Sequence, residues 1–280
     1  MAEPKRIETD VAIVGSGGAG MAAAVEARSA GARVAVIEQA ETLGGAAIIS
    51  GGGCCIAGTP LQESLGIHDD PDQAFEDWVK WGQGAADEPW ARFYLEHSLH
   101  DLYFWAEGLG VKWVDMKFQE GNRVPRWHRP ANNGLGITSA IINAAKARGV
   151  TEILTSTPAD KIIMNNGRIS GISAVNAKSG DPIEISSKAV LIATGGFNSN
   201  LDMVLEARPD LKNDKVLEGS GVGSKGIGHK LVHDIGGYLT HMGNIWFYVY
   251  ATPDYRDPTG RRGLVFRLAP GYIWVNQQGR

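Results

Sequence analysis

Cysteine is nearly absent: the 280 residues contain two, Cys54 and Cys55, side by side. Adjacent thiols cannot build a disulfide framework or a four-ligand zinc site, and so few cysteines fit a reducing compartment. They can form a strained vicinal disulfide, or serve as small buried residues in a glycine-rich turn. Excess positive charge is also missing, since 27 Lys and Arg stand against 31 Asp and Glu for a net charge of -4, without charge blocks. That excludes the basic field a nucleic-acid partner needs. No long apolar run exists near the N-terminus. The best stretch, 11–25, is cut by four glycines and lacks the layout of a signal peptide. The expectation is a soluble, cytoplasmic chain with no membrane or nucleic-acid partner. No C-x-x-C-H motif is present to attach a haem.

Glycine, by contrast, is abundant at 37 residues, and its placement is specific. Residues 10–38 read DVAIVGSGGAGMAAAVEARSAGARVAVIE, a Gly15-x-Gly17-x-x-Gly20 loop after a buried strand, opening a helix, before a second strand ending at Glu38. Gly15 permits the tight turn, Gly17 the approach of a pyrophosphate and Gly20 the packing of helix on strand, while the helix N-terminus directs N–H groups at the phosphates. Glu38 is placed to accept from ribose hydroxyls. A second cluster, Gly44-Gly45 and Gly51-Gly52-Gly53, follows directly. A backbone held flat against an isoalloxazine ring requires such residues, so flavin is favoured over a nicotinamide-only enzyme.

Between Asp72 and Gly110 the apolar period becomes helical through Ala74, Phe75, Trp78 and Val79, then Phe93, Tyr94, His97, Leu102 and Trp105. Two core-facing helices are expected, the second starting at Pro89 and ending at Gly108-Leu109-Gly110. His97 and His100 lack the companions of a metal site. Residues 122–134, NRVPRWHRPANNG, form a basic loop whose arginines and histidine could meet an anionic group, followed by a helix over Thr138–Arg148. Strands are expected at Glu152–Thr155, Ala159–Met164 and Ile169–Asn176, with an Asn165-Asn166-Gly167 hairpin turn, and at Lys188–Ala193 leading into Thr194-Gly195-Gly196. A hairpin layer followed by a strand returning to the nucleotide sheet is the wiring of flavoproteins with two dinucleotide folds.

These pieces, together with DPDQAFEDW, His97-Ser98, His128-Arg129-Pro130 and ATGGF at Ala193–Phe197, resemble the flavoprotein family of fumarate reductases, soluble flavocytochrome fumarate reductases and 3-ketosteroid Δ1-dehydrogenases. The resemblance spans nearly the whole chain. It implies an α/β fold: a Rossmann-like FAD-binding domain with an antiparallel β layer over 1–243, and the start of a capping domain over 244–280. FAD contacts are implied at Gly15, Ser16, Gly17, Gly18, Ala19, Gly20, Glu38, Gln39, Gly44, Gly45, Gly52, Gly53, Ala193, Thr194 and Gly195. In membrane-bound relatives a histidine in the Ala46–Gly53 turn carries the flavin covalently; none is present here, which implies non-covalent FAD.

The family's chemistry is hydride transfer between flavin N5 and a CH–CH bond beside a carbonyl, with an unidentified electron donor or acceptor. Candidate catalytic positions are Tyr248, Tyr250 and Arg267. The two tyrosines alternate with Phe247 and Val249 as on a strand, which equally describes an aromatic strand in a core. The family's dicarboxylate-holding threonine and glutamate correspond to Phe266 and Arg267, which disfavours fumarate. The aromatic run Trp246–Tyr250 favours a hydrophobic, enone or steroid-like small molecule. Lys225 stands where the family usually carries an aspartate between glycines. His229 and His233 lie four apart on a helix, without a ligand set for a metal. The match to PGYIWVNQQGR normally continues into the rest of the cap, so the expectation is a C-terminally truncated enzyme, or alternatively a non-catalytic FAD-binding module.

Overall fold

The computed structural model describes residues 3–150, 152–219, 221–247, 251–265 and 278–280. In chain order its first elements are β1 (Lys5–Glu8), β2 (Val11–Val14), α1 (Gly18–Ser29), β3 (Val34–Ile37), α2 (Gly45–Ile48) and β4 (Cys54–Cys55). Next come α3 (Pro60–Ser64), α4 (Pro71–Gly82), α5 (Glu88–Ser98), a π-helical segment Leu99–Phe104, α6 (Trp105–Gly108), β5 (Trp113–Lys117) and β6 (Trp127–Pro130). The remainder comprises α7 (Asn133–Ala147), β7 (Glu152–Leu154), β8 (Ala159–Asn165), β9 (Arg168–Val175), β10 (Pro182–Ser186), β11 (Ala189–Ile192), α8 (Leu201–Ala207), α9 (Ile227–Asp234), β12 (Ala251–Pro253) and β13 (Gly263–Val265).

Strand alternation builds three layers. In β2, Ala12 and Val14 face one way and Ile13 the other; in β3, Ala35 and Ile37 oppose Val34 and Val36. The first set packs on Ile172, Ala174, Ile183 and Ile185 of the hairpin sheet. The second packs on Met21, Ala24 and Val25 of α1 and on Ile141, Ile142 and Ala145 of α7. Burial on both faces explains why VAIV and VAVI carry no polar residue.

The central sheet is parallel, in order β11-β2-β3-β7, and the layer beneath runs β1-β10-β9-β8 with antiparallel pairing among β10, β9 and β8. The Asn165–Arg168 hairpin forms as the Asn-Gly turn requires, and β11 returns beside β2 as the two-dinucleotide-fold wiring demands. Cys54 and Cys55 form a two-residue strand in a third sheet, β4-β6-β5, rather than an irregular turn.

The helices depart from expectation in three places. α7 starts at Asn133, five residues before Thr138, and α5 continues through the π-helical segment into α6. Capping explains the start of α5: the Asp87 side chain accepts from the Trp90 N–H, with Pro89 in the first turn. The helical period was correct but its face was not entirely so, since Phe93 is 51% exposed and Trp78 38%. Among the described residues no helix is long and apolar enough to cross a membrane.

Candidate cofactor site at the carboxyl ends of the parallel strands

Three adjacent strands end together, and each runs into a segment singled out by its sequence. Beyond β2 lies Gly15, beyond β3 Glu38, and beyond β11 Ala193. The Gly15 N–H donates to the Ile37 carbonyl at 2.8 Å and the Ala193 N–H to the Val14 carbonyl at 2.8 Å. The chain leaves β2 for β3 on one side and returns as β11 on the other, so this is the crevice where open α/β sheets bind ligands.

The glycines of the loop have different reasons for being there. Gly15 has φ +105, and a Cβ on it would lie 2.4 Å from the Ala193 carbonyl oxygen. A Cβ at Gly20 would lie 2.0 Å from the Gly15 carbonyl oxygen. At Gly17 a Cβ would meet nothing within 4 Å. Protein packing therefore requires Gly15 and Gly20, whereas Gly17 faces open space at the N-terminus of α1. No side chain caps that terminus and no acidic residue occupies its first turn. A bare loop before an uncapped helix is the arrangement an anionic pyrophosphate fits.

Ser16 and Glu38 lock the loop to the second strand. Ser16 is fully buried, and its N–H and hydroxyl both donate to Glu38 Oε2, at 2.9 and 2.7 Å. Glu38 Oε1 accepts from the Ala40 N–H at 2.9 Å, while the Ser16 hydroxyl accepts from the Gly44 N–H at 3.2 Å. A carboxylate offers about four acceptor positions, so capacity remains for a ribose hydroxyl. The Gln39 amide donates to the Gly223 carbonyl at 2.9 Å, joining β3 to the loop before α9.

The second glycine cluster borders a cavity of about 930 Å³ between α1, α7 and the π-helical segment, whose lining includes Gly18, Ala19, Gly52 and Gly53. Both clusters thus meet one space. Gly52 and Gly53 nevertheless have partners within the protein: a Cβ at Gly52 would lie 2.5 Å from the Gly134 nitrogen, and one at Gly53 would fall inside the Trp127 indole, 1.6 Å from Cε2. Gly45, Thr194 and Gly195 also lie around the strand ends, and a Cβ at Gly195 would meet nothing within 4 Å.

Cys54 also lines the cavity, and burial, together with neighbouring Cys55, pushes its thiol up to about 11. Both cysteines are free. Burial raises Cys55 too, so at neutral pH neither supplies a thiolate. The Tyr94 hydroxyl donates to the Cys55 carbonyl at 2.9 Å, and burial raises the phenol well above its usual range. His100 and Asp101 reach the cavity from the π-helical segment. Nothing in the continuous helical period signalled that insertion.

The basic loop finds its anion inside the protein. Arg126 is fully buried and grips Asp69 with Nε and Nη2 at 2.7 Å each, while Nη1 donates to Asp77 at 2.9 Å. Burial would raise Asp69, but hydrogen bonds from Arg126, Gln73 and Gln62 outweigh it and hold the carboxyl below 3.8. Asp77 is lowered in the same way: burial is opposed by the Arg123 N–H and by the Arg126 and Arg123 side chains. His128, fully buried, bonds the Arg126 carbonyl through Nδ1 at 2.8 Å, which makes Nδ1 the donor and leaves Nε2 to accept from the Thr59 hydroxyl at 2.7 Å. Burial lowers its pKa below 6.5. The anionic group expected to meet this loop is thus supplied by the protein's own acids, distant in sequence, which complete the cluster.

Lys225 pairs with Glu218 at 3.6 Å and donates to the Ser199 carbonyl. His97 bonds the Phe93 carbonyl within its own helix. Among the described residues no three His, Cys, Asp or Glu side chains converge as a metal site. Tyr248, Tyr250 and Arg267 lie outside the described residues.

Residues 10–280 match the family described as FAD binding domain. The chain belongs to this family. The chain is 32% identical over 275 residues to the NADH:fumarate oxidoreductase of Klebsiella pneumoniae (strain 342), a match covering 96% of this chain and 28% of that protein. It superposes on the open conformation of a flavocytochrome c3 fumarate reductase with a TM-score of 0.77 and 31% identity, covering 82% of this chain and 41% of the other. A 3-ketosteroid-Δ4-(5α)-dehydrogenase from Rhodococcus jostii RHA1, in complex with 4-androstene-3,17-dione, gives 0.76 and 25%, covering 86% and 58%. The chain therefore spans between about a quarter and three fifths of these proteins. Its fold is the mixed α/β fold of fumarate reductase-like flavoproteins, and its cofactor is FAD.

Proposed function

We propose that FAD lies across the carboxyl ends of β2, β3 and β11 without a covalent tether. Its pyrophosphate rests on Gly15–Gly20 and the α1 N-terminus, its ribose on Glu38 and Gln39, and its ring reaches the Gly44–Gly53 segment, with Ala193–Gly195 closing the far side. The open space at Gly17 before an uncapped helix carries this reading. Ala46 stands in the turn where a tethering histidine would be, next to the position of a Gly221 Cβ at 3.1 Å. Residues 1–243 form the FAD-binding unit and 244–280 begin a cap.

FAD bound here supplies hydride transfer at N5, to or from a CH–CH bond beside a carbonyl. The chain's own part is to hold the cofactor, keep the loop rigid through Ser16 and Glu38, and offer Tyr248, Tyr250 and Arg267 as groups toward substrate. The substrate class is a hydrophobic enone, supported by the run Trp246–Tyr250 and by likeness to a dehydrogenase solved with 4-androstene-3,17-dione. The second reading is an FAD-binding module without turnover, supported by the geometry of the described residues around the strand ends, which accounts for holding a cofactor.

The purified chain is expected to be yellow and to release all its flavin to the supernatant on acid precipitation. Flavin remaining in the pellet would refute non-covalent binding, and a folded protein that takes up no FAD would refute the site. Reoxidation of the photoreduced flavin by a steroid enone separates enzyme from module. Reoxidation by fumarate alone would overturn the substrate class.

A further inference from the structure

The Gly51–Gly53 turn is gripped from two sides. On one, the Ser50 carbonyl accepts from the Gly134 N–H at 3.0 Å and Gly52 packs against the Asn133–Gly134 backbone. On the other lies the Trp127 indole, whose Cη2 would be 3.4 Å from a Cβ at Gly51 and whose Cε2 would be 1.6 Å from one at Gly53. No shift of a flexible side-chain tip relieves the second distance. The ring occupies the volume that any side chain at Gly53 would need.

Trp127 itself cannot yield. It starts β6, and Cys55 pairs with it across the ladder. Successive residues of an extended chain point to opposite sides, so Arg126 and His128 turn into the protein while the indole turns toward the glycines. Both flanking side chains are fully buried, Arg126 between Asp69 and Asp77 and His128 against Thr59. The Arg126 carbonyl accepts from the Ile56 N–H at 3.1 Å, tying the backbone before the indole to the strand after the turn. The ion cluster therefore anchors the ring, and the ring sets the turn.

We infer that Trp127 is the positioning residue of the flavin turn, and that Gly53 lacks a side chain to admit the indole and not the flavin. The inference rests on the FAD reading given above. It separates two causes for one glycine, because an indole that demands the bare backbone leaves a signature of compensation that a flavin demanding it does not.

The test is FAD titration of apo-protein for wild type, Gly53→Ala, Trp127→Ala and the double variant, with the absorption spectrum and midpoint potential of the bound flavin. Gly53→Ala is expected to weaken FAD binding by about tenfold or more, and adding Trp127→Ala to restore part of that loss. Trp127→Phe keeps spectrum and potential close to wild type, whereas Trp127→Ala shifts both. A double variant that binds FAD no better than Gly53→Ala overturns the inference, as does an unchanged flavin spectrum and potential in Trp127→Ala. Should Gly53→Ala not fold, the Phe and Ala variants at 127 decide by the same spectral criterion. Wild type that takes up no FAD overturns the flavin reading itself, which distinguishes the two failures.

Discussion

Gly17 and Gly20 lie three residues apart in one loop, yet a methyl group meets nothing at the first and the Gly15 carbonyl oxygen at 2.0 Å at the second. Their substitutions should therefore separate cofactor binding from folding. Gly17→Ala is expected to destabilise the apo-protein by no more than about 1 kcal/mol, the loss of a better N-cap residue, because the added methyl meets no protein atom, while FAD affinity falls. Gly20→Ala should destabilise the apo-protein by a larger amount, through overpacking of about 1–3 kcal/mol. Urea unfolding of both variants without FAD, followed by FAD titration, checks the contrast; equal apo stabilities would contradict it. At this scale the motif was legible because strand, helix and acid surround it in sequence. The reason for Gly53 was not, since the Trp127 ring arrives from a strand more than seventy residues away.

At the scale of elements, α3, α4 and β6 meet at a buried charge cluster that also fixes an acid limit. His128 is neutral in the fold because burial lowers its pKa, so below 6.5 the unfolded chain binds a proton that the folded one resists. Stability is lost as pH falls from about 6.5 toward the folded value. Asp69 and Asp77 act lower, since both are held below 3.8: their contribution is present above that pH and is lost as pH falls through the folded values. Denaturant midpoints from pH 7 to 3 are expected to show two descending limbs. His128→Gln removes the upper limb and keeps the lower one; an upper limb that survives would assign it to another group. Helix period, caps and the Asn-Gly hairpin were readable locally. Neither the partners of Arg126 nor the π-helical segment was, because an ion pair spanning 57 residues and a single extra residue within a helix leave no local pattern.

For the whole molecule, the proposed site links cofactor and fold, because the strand ends that would meet FAD are also the ends of the central sheet. FAD that binds only the folded state should stabilise it by about 2.7 kcal/mol when free FAD is about 100 times Kd. A thermal midpoint that rises with FAD concentration checks this, and a midpoint independent of FAD would show that the folded chain holds no such site. The sequence by itself determined the α/β class, the parallel strand-helix-strand unit, the hairpin layer and the dinucleotide loop, because each depends on residues adjacent in the chain or on strict periodicity. Only the tertiary structure decided which glycines serve the protein and which leave room for a ligand, which acids meet Arg126, and that Glu38 holds the loop through Ser16. Those outcomes depend on distances between segments far apart in the chain, which are set when the layers pack and by no local propensity.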